Sequence, residues 1–596
     1  MNRYHRPTSS VALALLLAAC SSAPMKPAAN NDTDTMAFGP ILATVHRDGD
    51  DLLSAGLGIE GLRSLVPPTV SDANAPTAAQ LRRRAIWANW RGIADLRPGG
   101  GAGDVLPQVP GREFTAFATV PGAQQSHRML LQLPDGFDPE KPCLIVAPAS
   151  GSRGVYGAIA VAAPWALPRG CAVAYTDKGA GTDYVDVGTG AGTQRDGTPA
   201  SHADIAVFAP QTAATAGIAF KHAHSQDNPE ADWGQHVRQA AQFGLQVLNT
   251  QFPTRNFRAD NTRIIAVGIS NGGGAVLRAA EHDDALLDAV VAGEPNVYVD
   301  APGSRALYDY ATLAARLMPC ALLDLDDLPQ PPMTDALRAK GTQRCAALKA
   351  RGELHGDDLA EQAREARALL HAAGFDDHAL RSGATSTGFD LWRSVAAAYA
   401  SAYGRYRFGQ HPCGFDYAAL DAEGAPRAVD VAERALWWSD ASGIPPGNGI
   451  ALRDSQRAGE DPDLPGLDCL RSLWEGDSES ARHVREGIAA TRAALPREHL
   501  PMIIVHGRDD GLIPMAFSST PYVQMLRAAG RDVTYWQVTD AQHFDAFLAF
   551  PDYARRYVPL LPQVHAALDA VWAHLENPAV ALPADAVLSP THGKAD

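Results

Sequence analysis

The chain has 596 residues, 46% hydrophobic and 20% charged, which is enough to bury a full core and to build more than one domain. Its 67 acidic residues outnumber 51 basic ones, for a formal net charge of −16. No basic stripe offsets that excess, which argues against nucleic acid as a partner.

Residues 1–6 are basic and 11–19 are a short apolar run, the pattern of an export signal at 1–20. The run is too short to span a bilayer, and no other segment is long and apolar enough to do so. Leu17-Ala18-Ala19-Cys20 resembles the bacterial lipobox, in which Cys20 would be lipidated and become the mature N-terminus. The expected location is outside the cytoplasm: secreted, periplasmic, or held at the outer membrane through Cys20 alone. Residues 21–37, rich in Ala, Pro, Asn and Asp, read as a tether.

Apolar segments at 128–133, 142–148, 171–176, 263–268, 288–292, 502–506 and 533–538 read as strands, and 233–250 as a helix. Continuous apolar strands alternating with helices predict a mostly parallel sheet covered on both faces. The first part of this α/β core is expected over 38–300 and the second over 500–576. Between them, 301–499 is far longer than a crossover requires and has helical composition at 334–351, 357–373 and 478–494. It reads as a large, mainly helical lid. Its aromatics (Trp392, Tyr399, Tyr403, Tyr406, Phe408, Phe415, Tyr417, Trp437 and Trp438) suit the wall of a partly apolar cleft, although each taken singly fits the lid's own core better. The acidic run 324–327 reads as a solvated turn. The Pro- and Ala-rich tail at 577–596 is expected to have little order.

Besides Cys20, the seven cysteines leave six, an even number that suggests disulfides in an exported protein. Cys143 and Cys171 sit at the starts of two core strands and read as buried thiols. Cys320, Cys345, Cys413 and Cys469 are better candidates for bridges. His222-Ala223-His224 is too little for a metal site, and no zinc spacing is present.

The chemistry centres on Gly268-Ile269-Ser270-Asn271-Gly272, a G-x-S-x-G motif between a buried strand and a helix. Gly268 and Gly272 remove Cβ atoms that would crowd a tight turn with Ser270 at its apex. A serine hydroxyl needs a base, and the base needs an orienting acid. In the order expected after the elbow, the strand 502–506 runs into His506-Gly507-Arg508-Asp509-Asp510, which resembles the H-G-x-x-D stretch of many α/β hydrolases and selects Asp510 over Asp509. His543, in the loop after the last predicted strand, is the expected base, with His506 as a structural competitor. The oxyanion donors are expected at the backbone of Asn271 and in the loop after the strand 142–148, at Ser150 or Gly151. Nothing in an acyl-transfer cycle of this kind requires a metal or an organic cofactor.

With elbow, acid, histidine and lid in this order, the chain resembles the D-(−)-3-hydroxybutyrate oligomer hydrolases. Its most telling pieces are Gly268-Ile269-Ser270-Asn271-Gly272-Gly273-Gly274, the long lid, and Cys171-Ala172-Val173-Ala174-Tyr175-Thr176-Asp177-Lys178-Gly179-Ala180-Gly181. The resemblance implies an α/β-hydrolase fold, Ser270 as nucleophile, soluble 3-hydroxybutyrate oligomers as small-molecule substrates and the monomer as product, downstream of a polymer depolymerase. The apparent lipobox departs from a freely secreted enzyme. Two other readings compete: a tannase- or feruloyl-esterase-like enzyme, and a non-catalytic envelope lipoprotein that uses the fold to bind. The sequence carries no signature of oligomeric state.

Overall fold

The structure, a computed structural model, describes residues 38–330, 335–440, 444 and 449–591. The expected export signal, Cys20 and the tether lie outside the described residues. Ten strands form one sheet: β1 (Leu42–His46), β2 (Gly111–Ala118), β3 (His127–Pro134), β4 (Cys143–Pro148), β5 (Ala172–Thr176), β6 (Arg263–Ile269), β7 (Ala289–Gly293), β8 (Met502–Gly507), β9 (Thr534–Val538) and β10 (Ala586–Leu588). Their spatial order is β1-β2-β3-β5-β4-β6-β7-β8-β9-β10. Pairing is antiparallel from β1 through β3 to β5, and parallel from β5 to the far edge. This is the expected α/β-hydrolase arrangement.

The apolar strand runs follow from burial on two sides. In β6, Ile265 and Val267 enter one core and Ile264 and Ala266 the other; in β7, Val291 and Val290 divide the same way. Truncating a fully buried side chain such as Ile265 to alanine costs about 2–5 kcal/mol. The flanking helices are α1 (Ala78–Ile93), α2 (Ile159–Ala166), α3 (Trp233–Gln251), α4 (Asn271–Ala279), α5 (Ser519–Ala528) and α6 (Leu561–Glu576). Residues of α1, α2 and α6 share the first core, and residues of α3, α4 and α5 the second. The start of α1 is fixed by a capping box in which Thr77 and Gln80 satisfy each other's backbone N–H.

The chain leaves β4 for β5 on one side and returns to β6 on the other. The carboxyl ends of β4 and β6 therefore flank the point where strand order reverses, the crevice where open α/β sheets bind ligands.

Between β7 and β8 the chain forms eight α-helices among the described residues: Leu307–Ala321, Asp335–Ala350, Leu359–Ala372, Asp377–Gly388, Leu391–Tyr403, the single turn Val431–Arg434, Leu464–Glu475 and Glu479–Ala489. They enclose a third core that takes in Trp392, Tyr403, Phe415, Tyr417 and Trp437, together with Tyr184, Phe220 and Phe517 from outside the insertion. A two-stranded ribbon, Phe415–Ala419 with Ile450–Asp454, completes the insertion. The acidic run is an exposed bend at Asp326 and Asp327, in which Asp324 meets Arg367 and Asp327 meets Arg556.

Three expectations are revised. Cys143 and Cys171 are not free thiols but a disulfide. Parallel pairing sets Leu144 opposite Ala172, so the two preceding cysteines face each other with Cα atoms 4.8 Å apart. The other four cysteines pair as Cys320–Cys345 and Cys413–Cys469. The tail is not structureless either. Ala586–Leu588 adds β10 beside β9, and Asp585 accepts the Tyr535 N–H at 2.9 Å. Finally, β9 is not the last strand, and the antiparallel β1–β2 pair extends the opposite edge.

Candidate active site

Ser270 leaves β6 with φ 57° and ψ −126°, backbone that a residue with a Cβ adopts only under constraint. The constraint is close approach on both sides. A Cβ on Gly268 would lie 2.3 Å from the Gly272 carbonyl, and one on Gly272 would lie 2.6 Å from the Pro148 oxygen. The Ser270 N–H donates to the Gly293 carbonyl at 3.0 Å, tying the turn to β7.

Three residues expected to act together do meet. The Ser270 hydroxyl lies 3.0 Å from His543 Nε2, and His543 Nδ1 lies 2.8 Å from Asp510 Oδ2. A carboxylate only accepts, so Nδ1 carries the ring proton and Nε2 is free to accept from the serine. Asp510 is 1% exposed. Burial opposes its ionisation, but the imidazoles of His543 and His506 outweigh burial and hold its carboxyl well below the usual carboxylate range. Its other oxygen accepts the N–H groups of Leu512 and Ile513 at 2.9 and 2.7 Å.

The two alternatives lie elsewhere. His506 is wholly buried, its Nε2 donating to the Ile513 carbonyl at 2.9 Å and lying 3.3 Å from Asp510. It buttresses the acid rather than facing Ser270. Asp509 turns away to accept from His378 of the insertion at 2.7 Å and from the Asp540 N–H.

In the oxyanion region, Ser150 donates its N–H to Gly157 at 3.4 Å and its hydroxyl to the Ile269 carbonyl at 3.3 Å. No described residue accepts from the N–H of Gly151 or Asn271. Lys178, buried behind this loop, donates to the Gly151 carbonyl at 2.8 Å, and burial brings its ammonium down to about 8.

Ser270, His543, Asn271, Ser150 and Gly151 line a cavity of ≈ 140 Å³. Its apolar wall includes Ile93, Ile269, Leu307, Leu391, Val395 and Phe544; its polar wall includes Ser152, Arg153, Glu294 and Tyr399. Tyr399 is the one member of the nine-residue aromatic set that reaches it.

Glu294 was not foreseen as a site residue. It follows the last residue of β7, is 3% exposed, and sets Oε2 3.7 Å from His543 Nδ1 with no hydrogen-bond partner among the described residues. Burial, followed by the charges of Asp510 and Asp545, pushes its carboxyl well above the usual range. The signal available in sequence is an acid placed directly after the apolar run 289–293. Glu294, Asp510 and His543 are also the one cluster among the described residues whose ligand atoms lie close enough, within 4.8 Å, to suit a cation. Both ring nitrogens of His543 are engaged by Ser270 and Asp510. His222 and His224 are likewise taken up in hydrogen bonds, His224 accepting the Phe220 N–H at 3.1 Å.

A buried serine, imidazole and carboxylate in this order, beside free backbone N–H groups, form a site for nucleophilic acyl transfer. A family profile described as 3HB-oligomer hydrolase matches residues 16–594. The chain belongs to the 3HB-oligomer hydrolase family. Proteins named D-(−)-3-hydroxybutyrate oligomer hydrolase from Burkholderia pseudomallei (strain 668) and Burkholderia mallei (strain ATCC 23344) are each 38% identical over 620 aligned positions. Each alignment covers 91% of this chain and 87% of the relative. Among solved structures, feruloyl esterase B from Aspergillus oryzae aligns with a TM-score of 0.33 and 12% identity, over 76% of this chain and 77% of that one. Candida antarctica lipase A in its closed state aligns with a TM-score of 0.35 and 10% identity, over 81% and 83%. The fold stands on the chain's own strand order and elbow. As a member of the 3HB-oligomer hydrolase family, the protein is a carboxylic ester hydrolase.

Proposed function

We propose that the protein hydrolyses soluble oligomers of D-(−)-3-hydroxybutyrate to the monomer, with Ser270 as nucleophile, His543 as base and Asp510 as its orienting acid. The observation that carries this reading is the unbroken Ser270–His543–Asp510 hydrogen-bond series opening on a mixed apolar and polar cavity, in a chain whose relatives bear that name over nearly their whole length.

In the first half-reaction Ser270 Oγ attacks the ester carbonyl as its proton passes to His543 Nε2. Asp510 stabilises the resulting imidazolium and keeps the ring oriented. The carbonyl oxygen, now negative, is held by the N–H groups of Asn271 and Gly151. The Ser150 N–H is already directed at Gly157, which leaves Gly151 as the second donor. Lys178 supports that role by gripping the Gly151 carbonyl. Each such donor is worth about 10²–10³ in rate. His543 then gives its proton to the departing 3-hydroxyl. In the second half-reaction His543 takes a proton from water, which attacks the acyl-serine and releases the acid.

The insertion over 301–499 acts as the lid, since Leu307, Leu391, Val395 and Tyr399 furnish one wall of the cavity. The methyl branches of the substrate match that wall, and its ester groups match the polar one. The basic leader and Leu17-Ala18-Ala19-Cys20 support export, with anchoring through a lipidated Cys20.

The test is incubation with 3-hydroxybutyrate dimer and trimer beside a feruloyl and a galloyl ester. Monomer release from the hydroxybutyrate compounds alone supports this reading. Cleavage of only the aromatic esters overturns the substrate.

A further inference from the structure

A second serine–histidine–carboxylate series borders the same cavity. Ser152 Oγ lies 2.7 Å from His222 Nδ1, and His222 Nε2 lies 2.7 Å from Glu230 Oε1. All three residues are buried, and Ser152 lines the cavity. This series takes no part in the acyl-transfer cycle.

Its proton directions follow from its carboxylate end. A carboxylate only accepts, so His222 Nε2 donates to Glu230, and Nδ1 is left to accept from the Ser152 hydroxyl. Separately, Asn271 Nδ2 donates to the Tyr399 oxygen, while Asn271 Oδ1 accepts from Asn296 Nδ2 at 3.1 Å. Tyr399 and Ser152 both line the cavity. The protons of Ser152 and His222 therefore run toward Glu230. Ser152 has already given its own proton to His222 and keeps its lone pairs: it is an acceptor.

We infer that Ser152 is the subsite for a free 3-hydroxyl on the acyl unit being transferred, so that cleavage begins at the hydroxyl end of the oligomer. The inference rests on the hydroxybutyrate reading above and adds a direction to it. Ser152 directly follows Gly151, the proposed oxyanion donor. In a 3-hydroxyacyl ester the 3-oxygen is three bonds from the carbonyl carbon, so adjacent residues can hold the two oxygens together. A free 3-hydroxyl has a proton to give to Ser152. A 3-oxygen esterified to a further unit has none and would set lone pair against lone pair. An internal ester is thereby disfavoured, and each turnover releases one monomer from the hydroxyl end.

The test compares kcat/KM for 3-hydroxybutyrate dimer with that for the butanoyl ester of 3-hydroxybutyrate, which has the same leaving group and lacks only the acyl 3-hydroxyl. The wild-type protein should prefer the dimer by about 10- to 100-fold, because one hydrogen bond is lost and a buried acceptor is stranded. In Ser152→Ala that ratio should shrink to within about threefold, in keeping with loss of a single uncharged partner. A second measurement needs no variant. Trimer isotopically labelled in its hydroxyl-terminal unit should release labelled monomer first. Equal cleavage of dimer and butanoyl ester by the wild type, or label appearing last, overturns the subsite while leaving the hydrolase intact. Failure to cleave any hydroxybutyrate ester overturns the substrate reading itself and the inference with it.

Discussion

His543 Nε2 lies 3.0 Å from the Ser270 hydroxyl across 273 residues of sequence. Two strand ends create that contact. Ser270 is displayed at the end of β6 and Asp510 just beyond β8, while His543 follows β9, so three strands of the parallel part of the sheet, with β7 between β6 and β8, deliver the three groups at their carboxyl ends. The helical insertion between β7 and β8 lengthens the sequence separation without disturbing the sheet, because β7 and β8 still pair directly.

Because Asp510 fixes the His543 tautomer through Nδ1, Asp510→Asn should lower kcat by about 10⁴-fold, the cost of offering the serine the wrong ring nitrogen. The KM for dimer should change little. Steady-state kinetics on purified variant and wild type checks this.

Glu294 gives a pH-dependent stability. Its folded carboxyl is pushed well above the value of 4.5 expected of the unfolded chain. Its contribution is therefore fully present below about pH 4.5 and is lost as pH rises through the folded value, since only the unfolded chain ionises early. Glu294→Gln, which keeps the shape of the neutral acid, should be more stable than wild type at pH 8, with the difference fading toward pH 4. Melting temperatures across that range measure it.

Lys178 acts on the oxyanion loop through Gly151 and touches no reacting atom. Lys178→Met should lower kcat by about 10- to 100-fold, less than outright loss of an oxyanion donor, while KM holds nearly constant. A purely structural role would instead lower the melting temperature and the active fraction together, leaving kcat per active site unchanged.

Cys413 and Cys469 close a loop across 56 positions within the insertion. Replacing both by serine should cost about 2–4 kcal/mol of folding stability, chiefly by freeing the unfolded chain. Denaturant unfolding followed at two wavelengths checks this, and reducing agent, which acts on all three bridges, should cost the wild type at least as much.

Much of this was legible in sequence where a single local pattern suffices. The strand at 263–268, the glycines on either side of Ser270 and the helix at 233–250 each announce themselves within a short window, and Asp510 and His543 follow from their position after strands. What escaped depends on pairing between distant segments. Whether Cys143 and Cys171 bridge turns on β4 and β5 lying adjacent and in register, which neither strand records alone. The strand Ala586–Leu588 is too short to show a period and is held by a neighbour's edge. His222 reads as one of two nearby histidines without a metal spacing; its meaning comes from Ser152 and Glu230, brought to it by folding. Glu294 looks like an ordinary polar residue ending a strand until His543 is set beside it.

The most direct measurement is peptide mapping after inactivation by an aryl phosphonate, alongside hydrolysis of 3-hydroxybutyrate dimer by wild type and Ser270→Ala. The account predicts one phosphonyl group per chain, located on Ser270, with loss of dimer hydrolysis in step with labelling and a fall of about 10⁵-fold or more in the variant. Labelling at another residue, with dimer hydrolysis retained in Ser270→Ala, would contradict it.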